Sequence, residues 1–262
     1  MEKSFVLELR STGSLNQDVF LLNHSDAFFA YHQANKNFDR LGTALSTQYD
    51  RSGHSHVGLI PFLLLAQRQS MSAFWAMAGY QSFEAWVLLR PAIEAALIMG
   101  KWIDDPAFAE LWRNRVTDLE RYKKAYQGKA LASKSLPRSS EIQVALRHVN
   151  DEFVHANDRY YDRHTTLQPT DPDNYLLGVQ YFDTDTRAYR AHVLAFLHLL
   201  LVIQTSMAAA WNDLFPSLGL LAMGLDVFEA QFGTEASDQA RAKAEAARVL
   251  RELGCWPIVE AA

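Results

Sequence analysis

One segment limits the possible folds of this chain more than any other. From Ala191 to Asn212 there is no Asp, Glu, Lys or Arg. A charge-free run of this length is either the central helix of a large helical bundle or a membrane span. His192, His198 and the polar residues 204–206 favour the buried core helix, because polar groups are costly in lipid. We therefore expect no membrane association, with the span as the alternative.

Most of the remaining chain shows the periodicity of amphipathic helices, with apolar residues recurring every three or four positions. The exception is Thr165–Phe182, where β-branched and aromatic residues flank a turn rich in Pro and Asp. The sequence predicts an all-α fold, a multi-helix bundle with one small β-hairpin. We expect a single helical domain over residues 1–262, with the hairpin inserted at about 164–183 and C-terminal helices within about 217–254.

Capping residues, prolines and glycines set the expected helix bounds. We place helices at about 15–49 with a break near Asn35, and at about 56–79, 83–103, 106–127, 139–159 and 183–215. Asp105 suits the N-cap and Pro106 the first position of the helix that they open.

Charge, cysteine usage and missing motifs exclude several classes of protein. The formal net charge of −5 argues against a broad nucleic-acid surface. A single cysteine, Cys255, excludes a disulfide framework, and the charged N-terminus lacks a secretory signal, so we expect a cytoplasmic location. The sequence contains no P-loop, dinucleotide-binding glycine motif, serine elbow or zinc-protease helix. The cofactor stays unknown, and so does whether the protein is an enzyme.

The first candidate site residues lie in an otherwise apolar helix. Between Ala85 and Gly100 the only charged residues are Arg90 and Glu94, which are four positions apart and share a face. Burying such a pair costs free energy unless other helices supply partners. The pair is either a structural ion pair or part of a site, since perturbed charges gather at sites.

The second group of candidates lies in residues 147–158, where helical geometry puts His148, Glu152 and His155 on one face. Di-metal bundles need two Glu-x-x-His pairs and two further Glu residues, but a second pair is missing here, so we predict no metal site. The alternatives are a mononuclear metal site or a solvated polar face with one packed histidine. We read His54 and His56 as surface residues.

We expect Arg90, Glu94 and His155 to meet in one pocket, with His148 and Glu152 at its edge. There Glu94 would orient His155, and Arg90 would hold a small anionic ligand. These three are also the candidate catalytic residues.

Aromatic content suggests self-association. The chain has six Trp, ten Tyr and fifteen Phe, and aromatic side chains are enriched at protein interfaces. We predict a homodimer or a larger homo-oligomer.

Three short motifs carry a family resemblance: Leu88–Ala95 with its Leu-Arg-x-x-x-Glu pattern, Asp105–Pro106, and Phe153–His155. Across about residues 74–157 the chain resembles a loose group of uncharacterised bacterial all-helical proteins. That resemblance implies an all-α fold and no established activity. Some members of this group in turn resemble the HEPN helical nucleases, whose RNase motif is Arg-x(4–6)-His.

Three pairs in this chain have the nuclease spacing: Arg51 with His56, Arg159 with His164, and Arg187 with His192. RNA is thus a possible partner by resemblance, although the net charge argues against it. We expect a binding or regulatory protein with a polar pocket between two core helices. The alternative is a helical hydrolase, either a HEPN-like RNase or a metal-dependent enzyme.

Overall fold

A computed structural model describes residues 5–52, 58–154, 165–171 and 174–214. Helices account for 80% of the interpretable residues, which confirms the predicted helical fold for this part of the chain. The eight described α-helices are α1 Phe5–Asn23, α2 Ser25–Ser52, α3 Ile60–Ala78, α4 Ser82–Asp104, α5 Ala107–Arg113, α6 Leu119–Tyr126, α7 Ser139–Val149 and α8 Thr186–Leu214. A 3₁₀ turn follows α6 at Gly128–Leu131, and a π-helical turn follows α7 at Asn150–Val154.

The core forms where α3 and α4 pack as a close helical pair and α8 packs against α2, α4 and α7. Its largest fully buried side chains include Trp86, Tyr189, Phe38, Phe74 and Phe196. Within α8, Thr186–Ala210 is long and apolar enough to cross a membrane, and 67% of that window is buried inside the protein. Both a core helix and a membrane span satisfy this criterion.

The first predicted helix is interrupted at a different place from the one expected. The break lies at His24, between α1 and α2, and Asn35 is helical. The backbone N–H of His24 still bonds to Phe20 O at 2.7 Å, so the hydrogen bonding continues through the break. The Asn35 side chain accepts a bond from Gln67 of α3, which removes its tendency to compete for backbone groups.

The predicted helix at 106–127 is two helices, because a turn at 114–118 separates α5 from α6. The Asn114 side chain donates to Glu110 at 2.8 Å, and the Thr117 hydroxyl donates to Asn114 O at 3.0 Å. Such local side-chain bonds offer the backbone an alternative to helical geometry. Asp105 does cap α5, since its carboxylate accepts the N–H of Ala107 at 2.9 Å.

The predicted helix at 139–159 is described only to residue 154, and its last described turn is π-helical. The predicted C-terminal helices within 217–254 lie outside the described residues.

Two strands account for the described β structure: β1 Thr165–Asp171 and β2 Asn174–Val179. They pair antiparallel, with Thr165 opposite Val179 and an irregularity between Pro169 and Asp171. Residues 172–173, which connect them, lie outside the described part of the chain.

The turn between α3 and α4 is closed by residues that come about a hundred positions later. Tyr80 adopts a left-handed conformation, with φ at 59°, and its carbonyl accepts the N–H of Asp183 at 2.7 Å. The Asp183 carboxylate accepts both the N–H of Ser82, at 2.7 Å, and the Ser82 hydroxyl, at 2.8 Å. The Tyr189 hydroxyl donates to Met77 O at 2.6 Å. The segment that leads into α8 therefore caps the start of α4.

A second polar group, the Asp104 cluster, joins the end of α4 to the loop before α7. The Asp104 carboxylate accepts bonds from the Ser133 hydroxyl and from the N–H groups of Lys134 and Ser135, at 2.6–3.0 Å. Nearby, the buried Lys101 donates to Ala130 O at 2.8 Å. Burial alone would raise the pKa of Asp104, but the hydrogen bonds from this loop hold it below its ordinary value.

Candidate functional site

Arg90 and Glu94 lie in the middle of α4 and form the ion pair that their spacing predicts. The Nη2 nitrogen of Arg90 is 2.7 Å from Oε1 of Glu94. The side chains are 36% and 33% exposed, so the pair is not buried as its otherwise apolar helix suggested. The physical reason is that this part of α4 is not enclosed on all sides, as Val87 and Leu88 are also exposed. An apolar sequence did not guarantee burial here.

The partner that fixes Arg90 from another element is Asn150. Arg90 Nε donates to Asn150 Oδ1 at 2.6 Å, and Asn150 is the first residue of the π-helical turn. A π turn holds one extra residue and re-aims the side chains at that point, which is why such turns occur often at functional sites. We call Arg90, Glu94 and Asn150 the Arg90 cluster. Sequence reasoning missed Asn150, because an α-helical period assigns it to a different face from His148 and Glu152.

Of the other predicted site residues, the structure describes His148 and Glu152 but not His155. His148 is half-buried, with its ring 5.9 Å from that of Phe153, and Glu152 is half-buried and has an interaction partner. His155 lies outside the described residues. The structure therefore brings Arg90 and Glu94 together with Asn150, and the meeting with His155 stays a prediction.

Electrostatics give Glu94 an unusual environment for a carboxylate. Burial raises its pKa above the ordinary value, and the attraction of Arg90 opposes that rise. The pair as a whole is electrically neutral when both groups are ionised. A neutral, half-exposed pair can bind polar ligands without the large desolvation cost of an isolated charge.

The Arg90 cluster has hydrogen-bonding atoms to spare. Within the described part of the chain, Arg90 Nη1 and the second carboxylate oxygen of Glu94 have no protein partner. One is a donor and the other an acceptor, and both belong to side chains that are held in place. This arrangement presents a fixed donor–acceptor pair toward solvent.

The structure describes only some of the residues that have the Arg-x(4–6)-His spacing. His56, Arg159 and His164 lie outside the described residues, as does His54. His192 is buried in α8, and its Nδ1 accepts the indole N–H of Trp86 at 3.1 Å. Arg187 is exposed on the same helix. At five residues apart the two side chains point about 140° away from each other around the helix axis.

A further histidine contact joins α7 to α8, and no sequence pattern signalled it. His198 Nε2 lies 3.4 Å from Glu141, which also pairs with Arg138 at 2.7 Å. The contact with His198, followed by the charge of Arg138, lowers the pKa of Glu141 against the effect of burial. This group joins α7 to α8 through the partly buried side chains of Glu141 and His198.

Among the residues that the structure describes, no group of three His, Cys, Asp or Glu side chains is arranged to hold a metal ion.

No protein-family model, curated protein or solved structure matches the chain.

Proposed function

We propose that this protein is a cytoplasmic binding or regulatory protein that recognises a small polar ligand at the Arg90 cluster. The observation that supports this most is the spare pair of atoms, Arg90 Nη1 and the second oxygen of Glu94, on side chains already fixed by other bonds. Fixed groups lose little conformational entropy on binding, so each new hydrogen bond contributes more to affinity. His148, Glu152 and His155 would line the edge of this site.

The chemistry of the two atoms defines the ligand class. Arg90 Nη1 donates, which suits a carboxylate or phosphate, and bonds of this charge-assisted kind are strong. The Glu94 oxygen accepts, which suits a hydroxyl or ammonium group. A small anionic ligand with a donor next to its anionic group, such as an amino acid, a hydroxy acid or a sugar phosphate, meets both requirements. A plain anion would face the Glu94 carboxylate without compensation.

The test measures binding of glycine, lactate and glucose 6-phosphate by calorimetry, together with mass spectrometry of small molecules released from the purified protein. Arg90→Gln and Glu94→Gln should each weaken binding about 10- to 100-fold, as expected for loss of a hydrogen bond to a charged group. Arg113→Gln is the matched control, because Arg113 pairs with Glu110 at 3.4 Å on an exposed helix face. That variant should bind as the wild type does.

Two results would contradict the proposal. One is a released or added small molecule that Arg90→Gln and Glu94→Gln bind as well as the wild type does. The other is cleavage of single-stranded RNA that is lost in Arg187→Ala and retained in Arg90→Gln, which would favour the HEPN-like nuclease instead.

Three further features belong to the same proposal. We infer that α8 is a core helix, supported by its burial and by the bond from Gln204 Nε2 to Ala34 O at 2.7 Å. Recovery of the protein only in the membrane fraction would contradict this. We also infer that residues 172–173 join β1 and β2 as one hairpin, since antiparallel strands can be joined by a two-residue loop. Self-association is argued next.

A further inference from the structure

The outer side of α3 and α4 exposes more apolar surface than a solvated helix pair needs. Six large apolar side chains on these two helices are 36–54% exposed: Leu64, Leu65, Met71, Trp75, Val87 and Leu88. Helical spacing puts Leu64, Met71 and Trp75 on one stripe of α3. We call these six residues the α3–α4 face.

The antiparallel packing of α3 and α4 places the exposed residues of α4 beside those of α3. α3 and α4 are joined by a short turn at 79–81 and pack closely along their lengths, so they run antiparallel. Val87 and Leu88 therefore lie beside the C-terminal half of α3, where Met71 and Trp75 are. The face adjoins the Arg90 cluster without including it, since Val87 lies three residues before Arg90 on α4. The inference below does not rest on the proposed function.

We propose that the α3–α4 face is an interface between two copies of this chain. Aromatic side chains have about 150–250 Å² each and aliphatic ones somewhat less, so the observed exposures amount to at most roughly 500 Å² of apolar surface. Two copies would bury up to about 1,000 Å² in total from these residues alone, the area at which specific interfaces begin. A patch of this size on a single molecule is often an interaction site.

Arg68 sets the geometry of the pairing. It is an exposed charge in the middle of the α3 stripe, and it has no protein partner in the part of the chain that the structure describes. In a two-fold interface each contact occurs twice, with exchanged partners. Two α3 helices that pack antiparallel about a point between Met71 and Ser72 place Arg68 of one copy opposite Trp75 of the other. Arginine over the face of tryptophan is a favourable cation–π pair, so both Arg68 side chains are accommodated.

The test measures the mass of the full-length protein by sedimentation at micromolar concentration. We expect twice the monomer mass of 29.7 kDa. Trp75→Lys should weaken the dimer about 30-fold or more, because it removes a central tryptophan and puts a positive charge opposite Arg68. Leu22→Glu is the matched control, since Leu22 is 82% exposed on α1 and lies outside the face. It should leave the mass unchanged.

A charge exchange tests the pairing itself. Arg68→Glu combined with Trp75→Lys should restore the dimer relative to Trp75→Lys alone, because each new Glu then faces a new Lys across the interface. Within one helix these positions are about 10 Å apart and cannot pair directly. Met71→Glu gives a second measure of the interface, and circular dichroism checks that each variant folds. A monomer in the wild type, as expected if residues 215–262 cover this face, overturns the proposal. So does a dimer that is insensitive to Trp75→Lys and Met71→Glu.

Discussion

Helix α4 has one polar cluster at its middle and another at its C-terminal end, and the two differ in how completely their atoms are used. The Asp104 carboxylate accepts bonds from one hydroxyl and two backbone N–H groups of a single loop. The Arg90 cluster joins α4 to the π-helical turn through one bond and keeps a donor and an acceptor without protein partners among the described residues. A saturated cluster stabilises a fold, whereas a fixed and unsaturated one can also bind a ligand.

The two carboxylates show the same difference in their acidity. Burial is the largest influence on each of them, and it raises the pKa of both. At Asp104 the loop hydrogen bonds outweigh burial, so its pKa falls below the ordinary value. At Glu94 the single arginine does not, so its pKa is raised. Hydrogen bonds from backbone N–H groups thus lower a carboxyl pKa more effectively here than one partly exposed ion pair does.

The largest expected effect is at the saturated cluster. Asp104→Ala should lower the free energy of unfolding by about 3 kcal/mol, because it leaves several donors of the loop without their acceptor. Asp105→Ala is the neighbouring control and should cost about 1 kcal/mol, the usual value for loss of a helix N-cap. Denaturant unfolding measures both. Equal losses in the two variants would mean that the Asp104 cluster is not the main attachment of this loop.

Close packing at the same end of α4 gives the next effect. A Cβ atom at Gly100 would lie 2.8 Å from the Cβ atoms of Ser133 and Leu136, which are less mobile than the end of a long side chain. Gly100→Ala should destabilise the protein by about 1–2 kcal/mol, because the overlap exceeds the gain in helix propensity. Gly13→Ala, where nothing lies within 4 Å, should instead stabilise it by up to about 1 kcal/mol. Thermal unfolding of the two variants should therefore shift in opposite directions.

At the unsaturated cluster the effect on stability should be smaller. Arg90→Gln should lower the free energy of unfolding by about 1 kcal/mol. A partly exposed ion pair and one hydrogen bond contribute little net free energy. The fully buried pair that the sequence suggested would have cost about 3–5 kcal/mol. Urea unfolding distinguishes the two values. A loss at the larger value would show that Arg90 is mainly a structural residue.

The smallest effect is a difference in pH dependence between the two carboxylates. The pKa of Asp104 is lowered on folding, so its stabilising contribution is complete above the ordinary pKa of 3.8 and is lost as pH falls through the folded value. The pKa of Glu94 is raised, so its contribution is complete below 4.5 and is lost as pH rises through the folded value. Side-chain carboxyl NMR titration should find shifts of opposite sign. Shifts in the same direction would remove the contrast between the clusters.

The sequence predicts the helical fold well, because apolar periodicity in α4 and α8 reports directly on packing. It also predicts the Arg90–Glu94 pair, since a four-residue spacing on a helix fixes the distance. It misses the exposure of that pair, because exposure depends on which neighbouring helix covers which face. It misses Asn150 for a different reason: a π turn changes the helical phase by one residue without any characteristic composition.

The connection between Asp183 and the start of α4 has a consequence for how the chain folds while it is being synthesised. Ser82 and its cap are separated by 101 residues. At about 5–20 residues per second, the cap leaves the ribosome about 5–20 s after the helix that it completes. During that interval the Tyr80 carbonyl and the N–H and hydroxyl groups of Ser82 lack their Asp183 partner and bond to water instead. Synthesis of the segment before α8 is therefore the step at which this helix pair becomes locked, and a pause in translation ahead of residue 183 would prolong its exposure.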